Sequence, residues 1–276
     1  TNIDIMRKTT QLWIFTALIM LFNLFIFLTK VGGERLLLYV SDLLPVLCAI
    51  VALVYLFKAY QQFKGFDFAK TSWLLTFIGI VLFFLGESLY AILEIGIGSD
   101  MNENFPSIAD YVWCAGYIPL FAGMALMFYG YKKGGFPMGN TKMYGFLSVV
   151  IAIIAFAVIV FLLIPIIKDD ETDFLSKVFY LYYPVGDVLL VIPALILMYI
   201  TSLFGRSAIS MPWRLLALGY ICFTVADLLY SYLSWQDLYG SGNPIDLAWN
   251  FGYLSIALAG LYQMELMKSL NERVDL

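Results

Sequence analysis

Eight stretches of this chain are long and apolar enough to cross a lipid bilayer, and that leaves a bundle of membrane-spanning helices as its fold class. They cover about 12–30, 37–57, 72–97, 107–131, 144–167, 178–204, 212–234 and 245–267. A bilayer core takes about 20 apolar residues per helix, and no backbone amide can stay unpaired inside it. Charged residues make up only 13% of the chain, about half the share of a soluble domain. The position of each charge therefore says more than the net value.

The basic residues alternate with the spans. Arg7, Lys8, Lys58, Lys64, Lys70, Lys132, Lys133, Lys142, Arg206, Arg214, Lys268 and Arg273 flank one side, against Lys30, Arg35, Lys168 and Lys177 on the other. Cytoplasmic loops collect Lys and Arg, so the pattern predicts that both termini are cytoplasmic. The opposite loops are acidic, at 99–104 and 169–173. The first run has no small-residue cleavage site after it and reads as a retained span.

The chain also repeats itself. Pro106 to Tyr117 and Pro244 to Tyr253 align on Asp110/Asp246, followed by Trp113/Trp249, Gly116/Gly252 and Tyr117/Tyr253. The preceding runs match through Glu87/Asp227 and Tyr90/Tyr230, and one run earlier Asp42 matches Asp187. Four spans per copy is an even number, so both copies enter the membrane in the same direction. The expected fold is an all-α integral membrane protein of eight transmembrane helices in two parallel four-helix repeats, about 12–131 and 144–267. The divisions are a first repeat at 1–133, a cytoplasmic linker at 134–143, a second repeat at 144–268 and a tail at 269–276.

Six acids lie within or at the mouth of apolar runs. An ionisable side chain there costs about 2.5–3.5 kcal/mol at the bilayer centre and marks a functional candidate. From the helix rise, Asp42, Glu87, Asp187 and Asp227 lie about 8–13 Å below the outer boundary, with Asp110 and Asp246 about one turn in. Close carboxylates cannot all ionise in a poorly solvated site, so they hold protons, pair with a base or bind a cation. Lys30, Arg35 and Lys177 are the bases near enough to reach down.

Hydrogen-bonding aromatics cluster at the same level. Tyr90, Trp113, Tyr117, Tyr230, Trp249 and Tyr253 each give an apolar wall and one polar tip, with Tyr111, Tyr182, Tyr183 and Tyr232 nearby. The expected ligand residues are these six aromatics with Asp42, Glu87, Asp110, Asp187, Asp227 and Asp246. Glu87, Asp227, Asp187 and Asp42 are the candidates for a metal.

Structural readings compete. Asp110 and Asp246 follow a proline at a helix start and read equally as N-caps. Tyr232, Trp235 and Tyr239 read as interfacial belt residues. Gly86, Gly116, Gly123, Gly252 and Gly260 read as close-approach positions, and Pro45, Pro119, Pro184 and Pro193 as kinks.

Several classes are excluded or unsupported. The chain has no histidine, which removes the usual zinc, haem and general-base side chain. No lysine sits deep in a span as a retinal protein needs. Tyr183 to Asp187 lacks the first glycine of the Gly-x-Gly-Asp pattern of presenilin-like proteases. Cys48, Cys114 and Cys222 read as packing residues. No enzyme activity, cofactor or nucleic-acid partner is expected.

FPSIADYVWCAGYIPLFAGM, YYPVGDVLLVIPALIL, VADLLYSYL and PIDLAWNFGYLSIALAG resemble the multi-span N-terminal sensory regions of bacterial and archaeal histidine kinases and diguanylate cyclases, over about 37–265. The resemblance implies a sensory input module in a prokaryotic cell membrane, here without an output domain. The functional expectation is a receptor-like module whose outward, acidic, aromatic-lined pocket binds a cation, protons or a basic small ligand. A proton- or cation-coupled transporter and a self-associating structural membrane protein are the alternatives. Expected partners are the bilayer, such a ligand, and either a second copy or a downstream signalling protein.

Overall fold

A computed structural model describes every residue except Thr1, Phe66, Asn102, 206–208 and 275–276, and leaves undescribed the side chains of 2–6 and 273–274. Arg206 and the Arg273 side chain, two of the charges used for sidedness, lie outside the described residues. The described residues form helices and no strand: α1 (Asn2–Thr29), α2 (Gly33–Gln61), α3 (Phe68–Ala91), α4 (Ile108–Lys133), α5 (Thr141–Val158), α6 (Ile164–Lys168), α7 (Phe174–Ser202), α8 (Ser210–Trp235) and α9 (Asp246–Val274). A π-helical turn, Ile92–Ile97, extends α3, and a second, Ile159–Leu163, joins α5 to α6 in one span.

Polar residues at the span ends set where several helices start. Asp67 caps α3 through the Lys70 amide, Asn140 caps α5 through Met143, and Asp173 caps α7 through Leu175 and Ser176. Each supplies an acceptor to amides that have none within the helix.

Seven helices are long and apolar enough to cross a bilayer. The eighth expected span, α9, is long enough but falls short in apolarity, because Asn250, Ser255, Gln263 and Glu265 interrupt it. Packing supplies the reason. Leu254, Ser255, Ile256, Ala257, Leu258, Ala259 and Leu261 are all 0% exposed, so α9 is sheathed by α1, α2 and α8 and meets little lipid. The α5–α6 span is the converse. It is the most apolar of all, and only 11% of its window is buried, against 44% in α8. A helix bathed in acyl chains must be apolar all round, whereas one inside the bundle is freed from that demand.

Six helices close into a ring of neighbours in the order α2, α3, α4, α7, α8, α9 and back to α2. α1 leans on α9 and α2, and α5 touches α7 from outside. Across the ring α3 and α8 meet through aromatic pairs: Trp73 with Trp213 at 5.6 Å and Phe83 with Phe223 at 5.7 Å between ring centroids. The second pair sits about 15 Å further along both helices, so α3 and α8 run in the same direction.

Two crossings are built alike. A Cβ on Gly116 would lie 2.5 Å from Phe83 and 3.2 Å from the Gly79 carbonyl; on Gly252 it would lie 2.5 Å from Phe223 and 3.1 Å from the Gly219 carbonyl. Only glycine allows α4 onto α3, and α9 onto α8, at that separation.

Candidate ligand site

Four carboxyl groups face one cavity at the end of the bundle that carries loops 98–107 and 236–245. Asp42 on α2, Glu87 on α3, Asp227 on α8 and Asp246 on α9 line it, with Tyr90, Trp113, Tyr117, Tyr230, Trp249 and Tyr253 as walls. The cavity measures about 80 Å³, room for a few waters or a molecule of a few heavy atoms. Both sets of acids therefore gather at one end of the bundle, as the same-direction pairing of α3 and α8 requires.

Each half reaches across to the other. Tyr253 Oη donates to Glu87 Oε1 at 2.7 Å, and Tyr117 Oη contacts Asp227 Oδ2 at 2.8 Å. The corresponding tryptophans pack beside the acid of their own half. Trp249 Nε1 donates to Asp227 Oδ1 at 2.6 Å, and the Trp113 indole lies against Glu87. Tyr90 tilts on Trp113 at 5.7 Å and Tyr230 on Trp249 at 5.8 Å. These edge and tilted contacts keep the rings upright as walls.

Asp187 and Asp110 do not line the cavity, although they were expected as ligand residues. Asp187 stands behind Tyr117, whose hydroxyl lies 2.9 Å from Asp187 Oδ1 as well as 2.8 Å from Asp227 Oδ2. A phenol has one hydrogen to donate, so one of the two carboxyls must itself donate to the phenol oxygen. That pair shares at least one proton.

Asp110 lies outside the cavity lining and is not the N-cap. Ser107 is the cap, and Asp110 completes a capping box by accepting from the Ser107 amide at 2.7 Å. Its other oxygen accepts from Tyr183 at 2.7 Å. Asp246 is held by Ser41 Oγ at 2.7 Å, the Gly242 amide at 3.1 Å and Tyr239 Oη at 3.1 Å. Pro106 and Pro244 both precede the first helical turn rather than standing in it.

The bases expected to reach the acids go elsewhere. Arg35 Nε donates to Tyr39 at 3.1 Å and Lys177 Nζ to the Ile167 carbonyl at 3.4 Å. Lys30 is exposed in the loop after α1. Among the described residues no lysine or arginine lines the cavity, and the ion pair between Lys8 and Glu265, 3.1 Å, lies at the opposite end. Among the described residues no three His, Cys, Asp or Glu side chains stand close enough to hold a metal ion.

Sequence reasoning missed Ser41, Pro45, Phe83, Phe223 and Tyr239 in the lining. Tyr239 carries both a cavity wall and a bond to Asp246, a correction to its reading as a belt residue. Phe83 and Phe223 were within reach, because extending the Glu87/Asp227 register backwards aligns them, as it does Trp73 with Trp213. Ser41 and Tyr239 carried no such signal. Pro45 removes the amide that would bond the carbonyl of residue 41, in the turn that holds Asp246.

A second cavity of about 410 Å³ lies beside the first and shares Tyr90 and Tyr239 with it. Glu94 and Asp100 line it, and Glu94 Oε2 accepts from Ser241 at 2.7 Å. Glu94 sits on the π-helical turn Ile92–Ile97, a distortion often found at functional sites. On the other side the first cavity is floored by the Phe83–Phe223 pair, with the Gly116 and Gly252 crossings and then Trp73–Trp213 beyond it.

No family model, curated protein or solved structure matches the chain.

Proposed function

We propose that the protein is a receptor-like sensory module of a prokaryotic cell membrane. In this reading it has eight spans in two parallel repeats, cytoplasmic termini, and an outward pocket that binds a cation or a basic small ligand. One observation carries it: four carboxyls line a single cavity that, among the described residues, no lysine or arginine enters. A cavity so lined favours a positive guest, and its aromatic walls add cation–π attraction.

Three further features support the reading. The paired contacts of Trp73 with Trp213 and of Phe83 with Phe223 are those of a two-fold axis running along the helices. An inverted repeat would instead pair residue 73 with 223. The cavity end carries few basic residues, as an outer face does. The Phe83–Phe223 pair and the packed glycine crossings close the pocket on the Trp73–Trp213 side, which suits a receptor better than a transporter.

α9 contributes Asp246, Trp249 and Tyr253 to the pocket and runs along the ring, beneath α1, to the opposite end, where Glu265 holds Lys8 of α1. Ligand contact at one end of this rod has a direct mechanical path to the other.

The test is thermal unfolding of the purified protein across a screen of inorganic cations and amines. At least one cation raises the midpoint of the wild type, and the Glu87→Gln/Asp227→Asn variant loses that rise. An unchanged rise in the variant defeats the proposal. Proteoliposomes under a sodium or pH gradient should show no flux; coupled flux selects the transporter.

A further inference from the structure

The site's polar groups are not equally committed. Glu87 accepts from Tyr253, Asp227 from Tyr117 and Trp249, and Asp246 from Ser41, Gly242 and Tyr239. Asp42 differs. It is 5% exposed, lines the cavity, and its Oδ2 is buried with no hydrogen-bond partner. Its counterpart Asp187 also has such an oxygen, but behind Tyr117 and outside the cavity. Leaving a buried acceptor unpaired is costly, so the Asp42 oxygen is where a donor is most wanted.

Its surroundings specify the donor. Glu94 hydrogen-bonds the Asp42 carboxyl, so those two share a proton, and Asp246 and Glu87 face it as well; among the described residues no lysine or arginine offsets them in the lining. The guest is therefore positive. A calcium or magnesium ion takes about six or more oxygens in a close shell, and among the described residues no three carboxyls come together for one. An ammonium ion needs less: one to three acceptors for its N–H groups and an apolar or aromatic surface for its carbons. Tyr90, Tyr230 and Trp249 supply that surface.

Resting on the cation-pocket reading above, we infer that the ligand is a small organic ammonium whose head is held at Asp42, off the midline of the two halves, rather than a metal ion centred between Glu87 and Asp227. Access runs through the larger cavity, whose Glu94 and Asp100 draw a cation toward the Tyr90–Tyr239 partition. The duplication is then functionally broken. One half keeps a cavity-lining carboxyl with one oxygen unpaired as the ligand's anchor, and the other has locked its equivalent behind Tyr117.

Isothermal titration of the full chain in lipid nanodiscs tests this, with methylammonium, tetramethylammonium, sodium and calcium chlorides at matched ionic strength. The wild type binds at least one of the two ammonium ions more tightly than sodium or calcium. Asp42→Asn weakens that binding tenfold or more, and by at least three times the factor that Asp187→Asn does. Preferred binding of sodium or calcium overturns the inference while leaving the cation pocket intact. So does a loss at Asp187→Asn equal to that at Asp42→Asn. Absence of binding by all four ions overturns both. Where Asp42→Asn fails to give a monodisperse protein, Tyr90→Ala substitutes for it: it lowers ammonium affinity relative to sodium, and an unchanged ratio counts against the inference.

Discussion

The Tyr253 hydroxyl donates to Glu87 across the interface between the two halves of the chain, at 2.7 Å and 166 positions apart in sequence. Tyr117 makes the corresponding reach in the opposite direction, to Asp227. Each buried acid is thus tied to a phenol from the other half, and neither half completes its site alone.

Removing these hydroxyls separates their roles. Tyr253→Phe strips one donor from Glu87 and lowers stability by about 1–3 kcal/mol. Tyr117→Phe costs more, because Asp187 and Asp227 both lose the same partner. Unfolding midpoints in mild detergent give the order, and Tyr253→Phe combined with Glu87→Gln costs less than the sum of the two. A Tyr117→Phe protein as stable as wild type would contradict the shared-proton arrangement.

Glycine substitutions read the helix crossings. Gly252→Ala drives a methyl to 2.5 Å from the buried Phe223 ring and 3.1 Å from a backbone carbonyl, and destabilises by about 1–3 kcal/mol. Gly145→Ala, with nothing within 4 Å, is neutral or stabilising through helix propensity. The same unfolding assay checks both, and equal effects would argue against the tight α8–α9 packing.

The loop between α6 and α7 should keep its structure into strong acid. Asp169 accepts from Thr172 Oγ1 at 2.6 Å and from Trp235 Nε1 at 2.5 Å. These bonds, with the Glu171 amide, pull its carboxyl from 3.8 down to about 2. A carboxyl lowered on folding contributes above its unfolded value and loses that contribution as pH falls through its folded one. The tie is therefore complete above about 3.8 and released as pH approaches about 2. The Trp235 indole N–H resonance should move only within that window, and Asp169→Asn should remove the movement.

Residue by residue, legibility followed the range of the interaction. Asp42, Glu87, Asp227 and Asp246 were visible because a carboxylate inside an apolar run is anomalous locally. Tyr90, Trp113, Tyr230 and Trp249 were visible because they recur beside those acids. Asp110 was misread as an N-cap because a cap and the third residue of a capping box look alike at a helix start, and Ser107, three residues earlier, takes the cap. Tyr239 was misread because its loop folds back over Asp246, a contact that no periodicity announces.

The chain's own pattern of apolar runs, buried acids and recurring Asp, Trp, Gly and Tyr determined a helical membrane bundle with an acidic, aromatic end, since hydrophobic length and helical spacing act within a few turns. Which acids face one cavity, which phenol each accepts from, and which carboxyl oxygen stays unpaired were decided by the tertiary structure. Those outcomes depend on side chains such as Ser41 and Asp246, 205 positions apart. Only the closing of the six-helix ring brings them within hydrogen-bond reach.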